Sequence, residues 1–168
     1  MAGMKAAFLV LGSALALAAS WQAVAVVAAG RTKIYRNVRF GYQVSYPADL
    51  LEPEPEADNG DGRAFHARHG SGKVLVWGSY RLEDVEPTPS AIAHGYEKDC
   101  GRGSLSYEVI KPRLIAFSCR NAKGEIIYQK TLVGRDILRS VRVEYPETGQ
   151  AVWDAVTKQM SASFRALP

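Results

Sequence analysis

Little in this chain is of the kind from which catalytic or metal centres are usually assembled. It has three histidines and two cysteines in 168 residues, and no Cys-x-x-Cys pair. No Gly-x-Ser-x-Gly elbow, phosphate-cradling loop, Gly-x-Gly-x-x-Gly after a strand or His-Glu-x-x-His occurs, so no motif supports a serine-hydrolase, nucleotide-binding or zinc-protease reading. Ser104 and Ser118 stand in no nucleophile context. Carboxylates do pair, Glu83 with Asp84 and Glu54 with Glu56, yet each pair is local and surface-like, which leaves a glycosidase-type acid and base unsupported. No enzyme activity and no cofactor are expected.

Charge of one sign is scarce too. Against 17 Asp and Glu the chain sets 21 Lys and Arg, a formal +4. With Lys5 set aside as part of a leader, 20 against 17 leaves +3. The signs are interspersed without a like-charged run, so no nucleic-acid partner is expected.

Residues 1–29 differ from the rest: Lys5, then Ala6 to Ala29 interrupted by only Gly12, Ser13, Ser20 and Gln22. This is the pattern of an export signal, with small-x-small sites ending at Ala18, Ala25 and Ala29. The rival is a retained membrane anchor, since Ala6 to Ala29 as a helix at ~1.5 Å per residue would cross a ~30 Å hydrocarbon core. The segment holds no Cys, which excludes acylation at a mature N-terminal cysteine. On either reading residues 31–168 form a single folded domain outside the cytoplasm, most simply in a bacterial periplasm. The membrane is met only through residues 1–29 if they are uncleaved. In that oxidising setting the even pair Cys100 and Cys119 reads as a disulfide.

Periodicity along the chain alternates strand signals with two helices. Tyr35, Phe40, Tyr42, Val44 and Tyr46 outline an opening hairpin, or a strand kinked at Gly41, before Pro47. Glu52 to Gly62 is dense in Pro, Gly and acid and is expected to be an irregular surface loop. Its carboxylates do not fit a calcium loop: with Gly62 as the loop glycine, Ala57 and Arg68 would fall on ligand positions. Ala64–Arg68 and Lys73–Tyr80 are two strands joined across Gly70 and Gly72. No metal is expected; the residues nearest to a ligand set are His66, His69 and Asp61, but His-x-x-His at a strand end points its two rings in different directions.

Thr88 and Pro89 mark a helix start, with Ile92 and Tyr96 as the buried stripe up to about Asp99. Four strand runs follow between Ser104 and Pro146. In the first, Leu105, Tyr107 and Val109 alternate with polar residues; in the last, Val141, Val143 and Tyr145 face the core opposite Ser140, Arg142 and Glu144. A closing helix from Thr148 to about Arg165 places Val152, Val156, Met160 and Phe164 on one face. The class expected is α+β, a central antiparallel sheet of about seven strands flanked by helices.

Three blocks carry a resemblance: Phe40 to Pro47; Ile115 to Arg120 with Gly124 and Tyr128 to Lys130; and Val143 to Pro146 with Ser163 to Arg165. They are similar to exported bacterial proteins of the PsbP-like group, over roughly Tyr35 to Arg165. The resemblance implies an α/β/α sandwich, a fold also used by the photosystem extrinsic protein PsbP and by a Ran-binding nuclear import factor. It implies a non-enzymatic binding or accessory role and carries over no catalytic or ligand residues. The function expected is therefore an exported, non-enzymatic binding or accessory domain contacting an envelope or periplasmic protein. The alternatives are a metal-dependent binding protein or hydrolase using His66, His69 and Asp61, and a membrane-anchored accessory subunit.

Overall fold

The computed structural model describes residues 30–82, 84 and 88–168. The expected leader or anchor at 1–29 lies outside them, as does Glu83 of the Glu83–Asp84 pair. The strands are β1 (Thr32–Asn37), β2 (Tyr42–Pro47), β3 (Leu51–Pro53), β4 (Gly62–Ala67), β5 (Lys73–Tyr80), β6 (Tyr107–Lys111), β7 (Leu114–Arg120), β8 (Ile126–Val133), β9 (Ile137–Tyr145) and β10 (Arg165–Ala166). Helix α1 (Pro89–Glu97) falls between β5 and β6, and α2 (Gln150–Ser163) follows β9. Seven strands form one antiparallel sheet in the order β3-β4-β5-β9-β8-β7-β6, and β1-β2-β10 form a second sheet of three. The α+β class with a central antiparallel sheet of seven strands is as the sequence pattern indicates.

The opening segment is a hairpin rather than a kinked strand. β1 and β2 pair in register from Thr32↔Pro47 to Asn37↔Tyr42. The turn between them is held by Asn37 Oδ1, which accepts from the Phe40 amide at 2.8 Å, and Gly41 takes the left-handed φ of 59° that a side chain would strain. This hairpin does not join the central sheet. With α2 it covers one face of that sheet, where Tyr42, Val44, Phe65, Val74, Val141, Val143, Trp153, Val156 and Met160 form one core. Tyr42 is fully buried, and its hydroxyl donates to the Asp61 and Val76 carbonyls, so burial drives its pKa far above the ordinary phenol range.

The opposite face carries a smaller core under α1: Ile92 and Ala93 against Ile115, Phe117, Ile127, Val133 and Leu138. Thr88 caps α1, accepting from the Ala91 amide at 3.2 Å, with Pro89 in the first turn. Cys100, just past the helix, is bonded to Cys119 on β7 with Cα atoms 5.7 Å apart, and fastens α1 to the sheet.

Four expectations need correction. Glu52 to Gly62 is not wholly irregular: Leu51–Pro53 forms the short edge strand β3, tolerable because an edge proline need not donate to the ladder. The closing helix stops at Ser163, where Phe164 turns to φ −70°, ψ 117° and inserts its ring against Tyr42 at 5.8 Å. Within that helix Val152 is 46% exposed and Trp153 takes the core position instead. The α2 stripe therefore starts one residue later, because Trp153 stacks on Tyr145 at 5.7 Å and its indole N–H donates to the Ser71 carbonyl. Finally, Leu105 and Tyr107 are 43% and 49% exposed, because α2 does not reach as far as β6.

Two stability results follow from this packing. Gly78 on β5 lies under Phe40, and a Cβ there would overlap the Phe40 side chain, whereas Gly95 on α1 has open space around it. Gly78→Ala is expected to destabilise by about 1–3 kcal/mol, and Gly95→Ala to stabilise by about 0.5–1 kcal/mol, in urea unfolding; equal effects would contradict this packing. Cys100→Ser with Cys119→Ser frees a loop whose ends are 19 residues apart. Calorimetry of that variant should show a loss of about 3 kcal/mol, and labelling of unreduced, denatured wild type should find no free thiol.

Candidate functional site

Two short helices leave much of the seven-stranded sheet uncovered. On the α1 face the helix sits over β6 and β7, and β4 and β5 show their side chains half-exposed. Here opens a cleft of about 610 Å³, walled by Leu75 and Trp77 of β5, by Tyr96 and Asp99 at the end of α1, by the turn Asn121–Lys123, and by Arg142 and Glu144 of β9. A second hollow of about 330 Å³ adjoins it across Leu75 and Trp77 and is bordered by Glu54, Asp61 and Ala64. The two together span the open half of the sheet.

The aromatic wall is an edge-to-face pair, Trp77 and Tyr96, with centroids 6.1 Å apart and planes at 76°. Such pairs present ring surface with few rotatable bonds, a good arrangement for contact. The floor is ionic. Arg142 is 8% exposed and donates to Asp99 Oδ2 at 2.6 Å; its Nε lies 2.6 Å from Glu144 Oε1, and Glu144 Oε2 lies 3.1 Å from Lys73 Nζ. A chain of alternating charge thus runs from β5 across β9 to the residues after α1. Each charge meets an opposite one, which is the condition for burying a guanidinium at all.

Beneath that chain the sheet is polar and buried. Gln129, Thr131 and Ser140 are fully buried. Thr131 and Ser140 share a hydrogen bond of 2.9 Å, and the Tyr96 hydroxyl lies 3.5 Å from Ser140 Oγ. The polar face of β9 is therefore not a solvated one, as its alternation suggests, but half of the α1 core. Gln129 and Arg142 stand opposite each other in the β8–β9 register, both on this face. An Arg at the centre of a sequence that reads as an interior strand was the available signal for a built site.

The residues marked by sequence are not brought together. His66 Nε2 lies 2.5 Å from Glu54 Oε1 at the exposed β3–β4 margin. His69, in the β4–β5 turn, lines a narrow crevice with Leu51, Val152 and Trp153 beside α2. Asp61 is tied to Asn59 through the Asn59 side-chain amide at 2.8 Å. Among the described residues no group of three His, Cys, Asp or Glu side chains is placed to hold a metal ion. Ser104 Oγ donates to the Arg120 carbonyl at 2.7 Å, and Ser118 Oγ to the Ile127 carbonyl at 3.1 Å. Both hydroxyls serve the backbone.

Beside the cleft, Glu97 of α1 is held above the usual carboxylate range, first by burial and then by Glu108 of β6, with His94 acting weakly the other way. A raised carboxyl pKa favours folding while the group is protonated, and that contribution is lost as pH rises from the unfolded value through the folded one.

Known structures share this architecture. The chain is similar to the cyanobacterial PsbP protein (CyanoP) of Synechocystis sp. PCC 6803, with a TM-score of 0.60 and 15% identity over 84% of this chain and 95% of that one. This shows a PsbP-like fold. A protein of Bacteroides thetaiotaomicron VPI-5482 matches at a TM-score of 0.49 and 12% identity over 83% of this chain and 49% of its own length, too low to carry an argument. No protein-family model and no curated protein sequence matches.

Removing the Glu97–Glu108 repulsion gives a signed pH effect. Glu97→Gln should raise Tm by roughly 2 °C at pH 7 and change it little at pH 4, where the wild-type carboxyl is protonated. Calorimetry at the two pH values checks this, and a variant less stable than wild type at pH 7 would contradict it.

Proposed function

We propose that this chain is an exported, non-enzymatic binding or accessory protein that contacts an envelope protein through the cleft between α1 and strands β5 and β9. One observation carries the reading: the Trp77–Tyr96 pair stands over a floor where Arg142, Asp99, Glu144 and Lys73 are paired with one another. Groups so paired are fixed in place and offer shape and charge to a partner. They are poorly suited to proton transfer, which needs a group free to change its charge.

Three further features support the proposal. The fold is that of CyanoP. The Cys100–Cys119 bond suits an oxidising compartment. None of the described helices is long and apolar enough to cross a membrane. The N-terminus of the protein recovered from cells, read by mass spectrometry, distinguishes cleavage after Ala18, Ala25 or Ala29 from retention of an anchor beginning at Met1.

Aromatic side chains at the centre of an interface carry much of its energy. Affinity capture from envelope extract should return a defined partner in stoichiometric amount. Trp77→Ala should weaken that capture at least about tenfold with the unfolding midpoint little changed. Undiminished capture by the variant would refute this use of the cleft.

A further inference from the structure

Helix α2 meets the sheet through two different flanks. Its apolar residues Trp153, Val156 and Met160 belong to the main core. A second flank is polar, and between it and the sheet runs a cleft of about 460 Å³ whose walls include Tyr128 and Lys130 of β8, Tyr145 of β9 and Asp154, Thr157 and Ser161 of α2. That volume falls in the range of small-ligand pockets, roughly 300–1,000 Å³.

Lys130 stands on this face between Ala116 of β7 and Val141 of β9, its partners in register. Both are buried, so the lysine stem rises from an apolar floor, and burial holds its amine below the usual lysine range. The amine donates to the Ser161 carbonyl at 2.6 Å, one of those that the end of a helix leaves without a helical partner. An ammonium keeps further N–H donors for another acceptor. Among the described residues no carboxylate lies within ion-pair distance of it. A half-buried cation without a counter-ion is unfavourable.

Thr157 adds a second unmet group. A helical threonine can turn its hydroxyl to the carbonyl one turn back, but here Oγ1 is buried and has no hydrogen-bond partner. Thr157 lies one turn before Ser161 on the same helix face, and Tyr128 Oη lies 2.7 Å from Ser161 Oγ. These residues make a donor-rich end to the cleft. The other end has the opposite sign. Asp154 Oδ1 accepts from the Tyr145 hydroxyl at 2.7 Å, while Oδ2 meets only the Gln150 amide at 3.3 Å. Lys158 is exposed and lies between the two ends along the helix. Outside the cleft, Arg120 and Glu147 bind each other at 2.6 and 2.8 Å and add no net charge.

We propose that this cleft binds a short peptide of about three residues with both termini free, its carboxylate received by Lys130 and Thr157 and its ammonium by Asp154. The length follows from the helix. From Asp154 to Ser161 it advances ~10 Å at ~1.5 Å per residue, and three residues of extended chain span about the same at ~3.3 Å each. The charge follows from the two ends: Asp154 repels a phosphate or dicarboxylate, Lys130 and Lys158 repel a polyamine, and a zwitterion satisfies both. The cleft lies on the opposite face of the sheet from Trp77, and the two readings stand or fall separately.

Titration calorimetry of the full chain with trialanine, N-acetyl-trialanine, trialanine amide and free alanine tests this. Trialanine is expected to bind, and each of the others about tenfold more weakly, because each lacks one charge or the reach to meet both. Lys130→Met should lose the preference for a free carboxylate, and Asp154→Asn, at an exposed position, the preference for a free amino group. Thr157→Val removes a hydroxyl without a partner, so it should weaken trialanine binding about fivefold without lowering the unfolding midpoint. Trp77→Ala leaves every affinity unchanged. No trialanine binding at about 10 mM, equal binding of free and blocked peptides by wild type, or undiminished binding by Thr157→Val would each overturn the proposal.

Discussion

A sheet of seven strands at roughly 4.8 Å per strand is about 29 Å wide, and a helix of about 10 Å diameter covers only two or three strands of it. Among the described residues one helix lies on each face, and the two are offset. On the α2 face, the helix and the β1–β2–β10 sheet bury β4, β5 and β9; on the α1 face, nine-residue α1 lies over β6 and β7 and closes a core that extends to β8. Everything distinctive about the surface follows from that diagonal cover. The two open quarters are the cleft at Trp77 and the α2-face side of β6 and β7, where Tyr107 is exposed.

The price of covering a sheet with so short a helix is a mixed core. Phe117, Ile115 and Ile127 meet Ile92 and Ala93 directly, but towards β9 the layer becomes Gln129, Thr131, Ser140 and Arg142. Buried polar groups are costly unless paired. Here the pairing links elements: Arg142 reaches Asp99 just past α1, Glu144 reaches Lys73 on β5, and the disulfide fixes Cys100 to β7. The end of α1 is therefore held by a covalent bond and an ion pair at adjacent residues, and the wall it provides for the cleft is held with it.

On the other face, Trp153 has the corresponding task. It stacks on Tyr145, donates to Ser71 and packs on Gly72, where any side chain would overlap the ring. This joins α2 to β9 and to the β4–β5 turn at once. Fold and proposed function meet in these anchors: a binding surface made of sheet residues needs its helical walls fixed.

Much of this was legible in residue order. The α+β class, the Thr88 cap, the break at Gly41 (as a hairpin or a kinked strand), the four antiparallel runs from Ser104 to Pro146 and the pairing of the two cysteines each rest on local periodicity, turn chemistry or count, which adjacent residues determine. What neighbours in sequence do not determine is which half of each face a helix will cover. Alternation on β9 gave Val141, Val143 and Tyr145 as core correctly, yet it assigned Ser140 and Arg142 to solvent, although α1 buries them. The same alternation from Leu105 into β6 placed Leu105 and Tyr107 in the core, and the reach of α2 left them outside. His66, His69 and Asp61, close in sequence, diverge because β4 and its turn send them to different sides, whereas Trp77, Tyr96 and Arg142, far apart in the chain, converge. Periodicity is a property of one strand, and burial is a property of the layer that happens to lie above it; residue order specifies the strands, and the packing of helices over the sheet selects which of their faces stay open.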